Sequence, residues 1–315
     1  MKKNLLFLVN PKAGRAEIKN KVLDIIDLFV KANYQVTIHT TQKPMDIPEI
    51  IKKEGERYDL LVCCGGDGTL NETVNGLIES GYPLPLGYIP AGTVNDFASS
   101  LEIPRNMLEA AETIINGEPF LCDVGSFNQR YFSYIAAFGA FTEVSYQTPQ
   151  VSKNLFGRAA YILEGIKRLP SMKTYHIKME HNGETIEGDF ILGLFSNSSS
   201  VGGFKVNSDE KISMCDGLLE AILVQPAKSV AEHQAILNTL LWQQIDTHYF
   251  LNFKTSSVKI TSDENISWTL DGEDGGNPKE ILIENKPNAI TIMTTGNKSL
   301  ECMQQTTTLP FKMHI

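Results

Sequence analysis

The sequence has no run approaching the ~18 apolar residues that a membrane-spanning helix requires. The apolar stretch near its start, Leu5–Val9, stops at Asn10-Pro11. That is too short for the hydrophobic region of a secretory leader, even with Lys2 and Lys3 ahead of it. Positive charge is also in short supply, with 28 Lys plus Arg against 37 Asp plus Glu and a formal net charge of −9. A protein that lives by gripping nucleic-acid phosphates shows the opposite balance, so no nucleic-acid partner is expected. A local basic patch can still sit inside an acidic total. Cysteine is sparse, at five in 315 residues, with no C-x-x-C pair. Adjacent Cys63 and Cys64 lie within an apolar run and read as small core residues. The expectation is a cytoplasmic chain with reduced thiols. Also missing are G-x-x-x-x-G-K-[ST], the Rossmann G-x-G-x-x-G, H-E-x-x-H and G-x-S-x-G, which closes several common routes to nucleotide binding and hydrolysis.

What remains is an ordinary globular composition, 42% hydrophobic and 21% charged, and a length that suggests two domains at ~150 residues each. The first 120 residues alternate strand and helix. Leu5–Val9, Gln35–His39, Asp59–Cys64 and Leu86–Ile89 read as strands. Helical spacing of Ile18, Val22, Ile25, Ile26 and Phe29, then Pro48–Glu54, then Val74, Leu77 and Ile78, fills the gaps, with further helix to about Asn116. Such a rhythm implies a parallel sheet with helices on both faces and ligands beyond the carboxyl ends of its strands. After Pro119 strands dominate: Phe120–Val124, Tyr131–Phe138, Thr174–Met179, Glu187–Phe195, Leu218–Val224, Val258–Thr261, Ile266–Asp271 and Glu280–Glu284. Helical stretches near Leu155–Leu169 and Ser229–Trp242 interrupt them. The second half reads as a β-sandwich decorated with helices.

Three glycine-bearing strand-to-helix turns carry the chemistry: Asn10-Pro11-Lys12-Ala13-Gly14-Arg15, Gly65-Gly66-Asp67-Gly68-Thr69-Leu70-Asn71-Glu72, and Pro90-Ala91-Gly92-Thr93-Val94-Asn95-Asp96. Glycines let backbone amides close on a ligand, and a helix N-terminus downstream adds unpaired N–H groups and partial positive charge. Together they make a phosphate cradle. Thr69-x-x-Glu72 and Thr93-x-x-Asp96 also fit or nearly fit a capping box, so Glu72 and Asp96 read equally as helix caps. Asp67, between glycines, suits the Mg²⁺ of a nucleotide, with an Asx-turn as the plain alternative.

These motifs together resemble the diacylglycerol kinase catalytic domain of soluble bacterial lipid kinases, shared by sphingosine and ceramide kinases. Asp216-Gly217-Leu218-Leu219-Glu220 and Asp271-Gly272-Glu273 fall where that family has D-G-x-L and D-G-E, so the resemblance covers nearly the whole chain. It implies an N-terminal phosphofructokinase/NAD kinase-like α/β domain over residues 1–122, joined by a C-terminal tail from about 292 to 315, and a β-sandwich lipid-substrate domain over 123–291. It implies ATP at Asn10, Pro11, Lys12, Ala13, Gly14, Thr41, the loop Gly66–Glu72 (Gly66, Asp67, Gly68, Thr69, Leu70, Asn71, Glu72) and Thr93. Glu273 becomes the base toward the lipid hydroxyl, with Asp271 beside it. A structural Mg²⁺ falls to Asp216 with the carbonyls of Ser213 and Leu218. Asp67, Asp96 and Asp123 form an acidic network near a catalytic Mg²⁺. Cys215 stands where relatives often carry a polar or acidic residue.

The residues speak to the D-G-E segment independently. In extended backbone Asp271 and Glu273 project to one face, and mutual repulsion raises one pKa, as suits a base or metal partner. An acidic hairpin turn is the plain alternative, since Asp274-Gly275-Gly276 follows; an EF-hand is excluded because its twelfth position is Leu282. Around Leu155–Leu169, an apolar stripe flanked by Lys153, Arg158, Lys167, Arg168 and Lys173 fits either a basic helix lying on anionic lipid or a core-facing helix with solvated lysines. The leading expectation is an ATP- and Mg²⁺-dependent lipid kinase that meets its substrate peripherally at the inner face of the membrane, with a homodimer allowed. An NAD kinase-like enzyme and a non-catalytic nucleotide- or lipid-binding paralogue are the rivals. The N-P-x-x-G start and the D-G-E end weigh against the first. Retention of Asp67, Asp216, Asp271 and Glu273 weighs against the second.

Overall fold

Strand β1 (Lys3–Val9) is apolar from Leu5 onward and fully buried there, as a strand covered on both faces must be. In this computed structural model, which describes residues 2–14, 16–139, 173–197, 200–201, 204–205, 213–229, 231–236 and 249–296, it pairs in parallel on both sides. Its neighbours are β2 (Tyr34–Thr40) and β3 (Leu60–Gly65), and β4 (Leu86–Pro90) follows β3, giving the order β2-β1-β3-β4. Between and after them run α1 (Ile18–Lys31), α2 (Asp46–Glu54), α3 (Asp67–Ser80), α4 (Asp96–Ser100) and α5 (Met107–Asn116). Residues Ile18, Ile25 and Phe29 give α1 its buried stripe, and Phe29 packs edge-on to Phe7 of β1.

The second half supplies β5 (Glu118–Phe127), β6 (Arg130–Phe132), β7 (Ile135–Gly139), β8 (Tyr175–His181), β9 (Glu184–Phe190), β10 (Leu192–Ser196), β11 (Ser200–Val201), β12 (Phe204–Lys205), β13 (Leu219–Val224), β14 (Phe250–Thr255), β15 (Ser257–Ser262), β16 (Trp268–Leu270), β17 (Glu273–Gly276) and β18 (Glu280–Thr294). A six-stranded sheet, β14-β13-β10-β7-β16-β17, packs over part of a ten-stranded one in which β18, β15, β8 and β9 continue outward from β4. Trp268 fills the space between the sheets, its ring centroid 5.0 Å from those of both Phe127 and Phe138. The expected combination of a parallel α/β sheet and an all-β sandwich is present. β18 joins them: Ile292 pairs with Leu86 of β4, and Ile283 pairs with both Phe127 of β5 and Val258 of β15.

Two segments expected as single strands are broken, each for a visible reason. Tyr131–Phe138 divides at Ser133-Tyr134 because the amides of Ser133, Tyr134 and Ile135 all turn to one carboxylate, that of Asp271. Glu187–Phe195 divides at Ile191, where the chain passes from one sheet to the other and the Ile191 amide donates to the Val224 carbonyl. Phe250–Thr255 is a strand the pattern reading passed over. Glu280–Glu284 extends to Thr294 through an irregularity between Lys286 and Ile290. The helix expected near Leu155–Leu169 lies outside the described residues. Of the Ser229–Trp242 stretch, residues 231–236 are helical.

Candidate active site

The ends of β1, β3 and β4 lie along one edge of the parallel sheet, where β1 separates β2 from β3 and the chain order reverses. Their three loops are locked together. The Asn10 amide donates to the Cys64 carbonyl at 2.9 Å, its side-chain Nδ2 to Thr69 Oγ1 at 3.0 Å, and its Oδ1 accepts from the Lys12 amide at 3.0 Å. Gly14 has φ +52°, and a Cβ there would stand 2.3 Å from the Ala91 carbonyl oxygen. At Gly92 a Cβ would stand 2.6 Å from Gly66 Cα. Buried Asn95 closes the third loop: its Oδ1 accepts from the Gly92 amide (3.0 Å) and the Tyr88 hydroxyl (3.2 Å), and its Nδ2 donates to the Gly92 carbonyl (2.7 Å). Its own amide donates to Asp67 Oδ2 at 2.9 Å, tying the third loop to the second. At the outer side, the Thr41 amide donates to the Val9 carbonyl at 2.9 Å, bringing the end of β2 to the same edge. Lys12 and Thr93 are exposed there.

The N-terminus of α3 opens onto this edge. Gly66 is its cap residue and makes no side-chain cap bond, so the first turn, Asp67 to Thr69, presents a helix N-terminus suited to an anion. The capping boxes expected from sequence do not form. Thr69 is the third residue of α3 with its hydroxyl turned to Asn10, and α4 starts at Asp96 behind Asn95, leaving Thr93 outside the helix. Glu72 faces the start of α2 instead: burial pushes its pKa up, against the pull of the Met45 and Ile47 backbone amides there.

Across from α3 stands the Asp271-Gly272-Glu273 segment, and it is a turn. Asp271 (φ +51°) and Gly272 (φ +86°) are both left-handed, and Leu270 pairs with Glu273, the arrangement of a two-residue hairpin between β16 and β17. The expectation of two carboxylates on one strand face is therefore corrected. Asp271 is buried, and both its oxygens are engaged. Oδ2 accepts from Asn71 Nδ2 (2.8 Å) and the Ser133 amide (2.6 Å); Oδ1 accepts from the amides of Tyr134 and Ile135, each at 3.0 Å. Burial pushes the Asp271 carboxyl up to about 6 against the pull of these four donors. Glu273 is exposed, and its Oε1 lies 3.8 Å from where a Gly68 Cβ would be. The Tyr134 phenol, buried between the two halves, is pushed well up by burial and by the charges of Asp67, Asp271 and Glu273, so it stays neutral and marks their common neighbourhood.

A second acidic cluster sits at residues 213–220. Asp123 Oδ2 accepts from the Gly217 amide at 2.7 Å and Oδ1 from the Asn288 amide at 2.8 Å, while Asp216 Oδ1 accepts from the Leu218 amide at 3.0 Å. The structure thus brings Asp123 to Asp216, whereas Asp67 and Asp96 open α3 and α4. Burial and then the Asp123 charge push the Asp216 carboxyl up, and burial pushes Glu220 up to about 7 even with Lys254 Nζ at 3.4 Å. Among the described residues no three His, Cys, Asp or Glu side chains are disposed to hold a metal ion. A cation here would depend on Asp216 and on backbone carbonyls such as those of Ser213 and Leu218. That all-oxygen donor set, with its excess of buried negative charge, fits Mg²⁺. Cys63, Cys64 and Cys122 are free and buried, and burial pushes Cys63 up to about 12, so they are inert core thiols.

Residues 4–127 match the model of the diacylglycerol kinase catalytic domain. The diacylglycerol kinase of Bacillus subtilis (strain 168) is 34% identical over 87% of this chain and 91% of its own length. That of Staphylococcus aureus (strain MRSA252) is 35% identical over 88% of each. The chain belongs to the diacylglycerol kinase family. Two solved chains from Bacillus anthracis str. Sterne share the fold. One, a diacylglycerol kinase, has TM-score 0.74 at 23% identity over 94% of this chain and 98% of its own; the other has TM-score 0.81 at 25% identity over 94% and 96%.

As a member of the diacylglycerol kinase family, the chain carries two kinds of residue in its loops. Gly66, Asp67, Gly68 and Thr69 lie at the loop edge, where β3 passes into the start of α3. Asn71 and Glu72, in the same motif, are spent on structure: Asn71 Nδ2 also donates to the Tyr131 carbonyl at 3.1 Å. Sequence reasoning missed Asn95 and Tyr134 as parts of the site. Asn95 carried a legible signal, an Asn three residues after a loop glycine, the spacing at which a side-chain amide closes a turn. Tyr134 carried none, because its place depends on a strand break that only the Asp271 contacts create.

Proposed function

We propose that this kinase transfers the γ-phosphoryl group of ATP to the hydroxyl of diacylglycerol or a close lipid, forming phosphatidic acid. The supporting observation is the placement of Glu273 Oε1 over Gly68 at the uncapped start of α3, a carboxylate facing a phosphate cradle. In this reading the triphosphate lies against the amides of Gly66–Thr69 and the loops at Asn10–Gly14 and Thr93, with the nucleoside toward Thr41. Leu70 is fully buried and only packs the helix start. Asp67 would hold a nucleotide Mg²⁺, which when bound would neutralise charge on the phosphates, and Asp96 lends negative charge from the start of α4. Glu273 accepts the proton of the acceptor hydroxyl as the new O–P bond forms. Asp271 takes no proton and binds no metal: it fixes the turn from which Glu273 projects. Asp216, with the carbonyls of Ser213 and Leu218, would hold a second Mg²⁺ and so tie down the loop.

No described helix is long and apolar enough to cross a membrane. The reading places the enzyme in the cytoplasm, meeting its lipid reversibly at the inner membrane face in phospholipid synthesis. The basic segment proposed for that contact, Lys153 to Lys173, lies outside the described residues except Lys173, which pairs with Glu264 and sits 5.1 Å over the Tyr175 ring. Incubation with γ-labelled ATP and a panel of detergent-solubilised lipids, with NAD as control acceptor, tests the reading. Label in phosphatidic acid is the expected result. Label in NADP, or in no acceptor, contradicts it.

A further inference from the structure

Asn75 lies one turn along α3 from Asn71, in the helix interior rather than in the phosphate loop. Its Oδ1 accepts from the Tyr131 amide and its Nδ2 donates to the Tyr131 carbonyl, both at 3.2 Å. The same Nδ2 reaches Asn71 at its carbonyl (2.9 Å) and Oδ1 (3.1 Å). An amide side chain that both accepts from and donates to one residue's backbone reproduces what a neighbouring strand offers. Tyr131 is the middle residue of β6, a three-residue strand that pairs on its other side with β5. Asn71 and Asn75 thus finish the open edge of β6 with a helix. Two residues beyond Tyr131 begin the three amides that hold Asp271, and two residues beyond Asp271 stands Glu273. From the far side, Arg130 Nη1 donates to the Asp274 carbonyl at 2.6 Å, so the short β6 segment grips the hairpin at both ends.

We propose that Asn75 is a positioning residue for phosphoryl transfer: it fixes the 130–135 segment to α3 and so sets the distance between the phosphate end of that helix and Glu273. The assignment rests on the reading of Glu273 as the base. One helix then carries both halves of the geometry, its first turn holding phosphate and its second and third turns holding the support of the base. Solvent-exposed capping would need neither a two-way contact with one backbone residue nor its coupling to Asn71.

The test is kinetic and structural together. Asn75→Ala removes every contact, and Asn75→Asp keeps the acceptor for the Tyr131 amide but loses both donors. Each is measured alone and combined with Glu273→Gln. The expected loss in kcat is roughly 10–100-fold, the order that a misplacement of about 1 Å costs, with KM for ATP within about twofold. In the Glu273→Gln background the further loss is expected to stay below about twofold, because the base through which Asn75 acts is already gone. Backbone amide exchange at Tyr131 and Ser133–Ile135 is expected to quicken in Asn75→Ala while the amides of β1 and β3 keep their protection. An equal loss in both backgrounds, or a raised KM with kcat unchanged, overturns the positioning role. Unchanged exchange at Tyr131 overturns it whether or not the wild-type protein phosphorylates any lipid in the panel.

Discussion

Asp271 shows how a carboxylate in a reactive motif is used as a strut. It is buried, accepts four N–H bonds, and sits in a left-handed turn conformation that Asp and Asn tolerate better than most residues. Because burial raises its folded pKa from 3.8 to about 6, its contribution to stability is fully present below pH 3.8 and is lost as pH rises through about 6. The full span amounts to about 3 kcal/mol. Denaturant unfolding of the wild type and Asp271→Asn across pH 4 to 7 is the check. The stability difference between them is expected to move against the wild type as pH rises, then level off. The opposite slope would mean that the four donors outweigh burial. The motif Asp271-Gly272-Glu273 was legible in sequence, with Glu273 expected as the base and Asp271 beside it. What was not legible is the turn that sends Asp271 inward and leaves Glu273 at the surface.

At the scale of elements, the loops after β1, β3 and β4 behave as one interlocked unit, and glycines in them do different work. Gly68 is open except toward Glu273, whereas a side chain at Gly92 would collide with Gly66 and Asn95. Gly68→Val is therefore expected to leave the fold intact while weakening ATP binding tenfold or more, about 1.4 kcal/mol. Gly92→Val is expected to cost stability on the scale of overpacking, about 1–3 kcal/mol. Calorimetric titration with ATP and thermal unfolding separate the two; equal ATP affinity in folded Gly68→Val and wild type removes the start of α3 from the phosphate site. Strands β1, β3 and β4 were legible because their apolar runs are continuous and end at glycine or proline, and β2 because its residues alternate. The capping reading of Thr69 and Glu72 failed because local spacing cannot reveal a tertiary partner: Asn10 takes the Thr69 hydroxyl, and the start of α2 takes Glu72.

At the scale of the whole molecule, the edge formed by the three glycine-bearing loops, the hairpin at Asp271–Glu273 and the acidic loop at 213–220 are held by different strands that meet through β18. Its irregular stretch near Asn288 presents the amide that binds Asp123, and Asn285 Nδ2 donates to the Leu218 carbonyl at 2.9 Å. Asp216→Ala should remove a cation-binding carboxylate without touching either the phosphate loops or Glu273. Thermal unfolding of the wild type is expected to shift upward with added Mg²⁺ in the absence of nucleotide, and that shift is expected to vanish in the variant. An equal shift in both would place the ion elsewhere. The continuity of the large sheet through β18 was not legible, because pairing between distant strands leaves no mark on periodicity.

The central claim, that a phosphate cradle and a separately supported carboxylate meet to phosphorylate a lipid hydroxyl, is tested most directly by Glu273→Gln. This change keeps the size of the side chain and removes its capacity to take a proton. With diacylglycerol as acceptor, kcat is expected to fall roughly 10²–10⁴-fold, the usual worth of a general base, while ATP affinity stays within about twofold. A variant that keeps wild-type kcat, or loses ATP binding instead, contradicts the account.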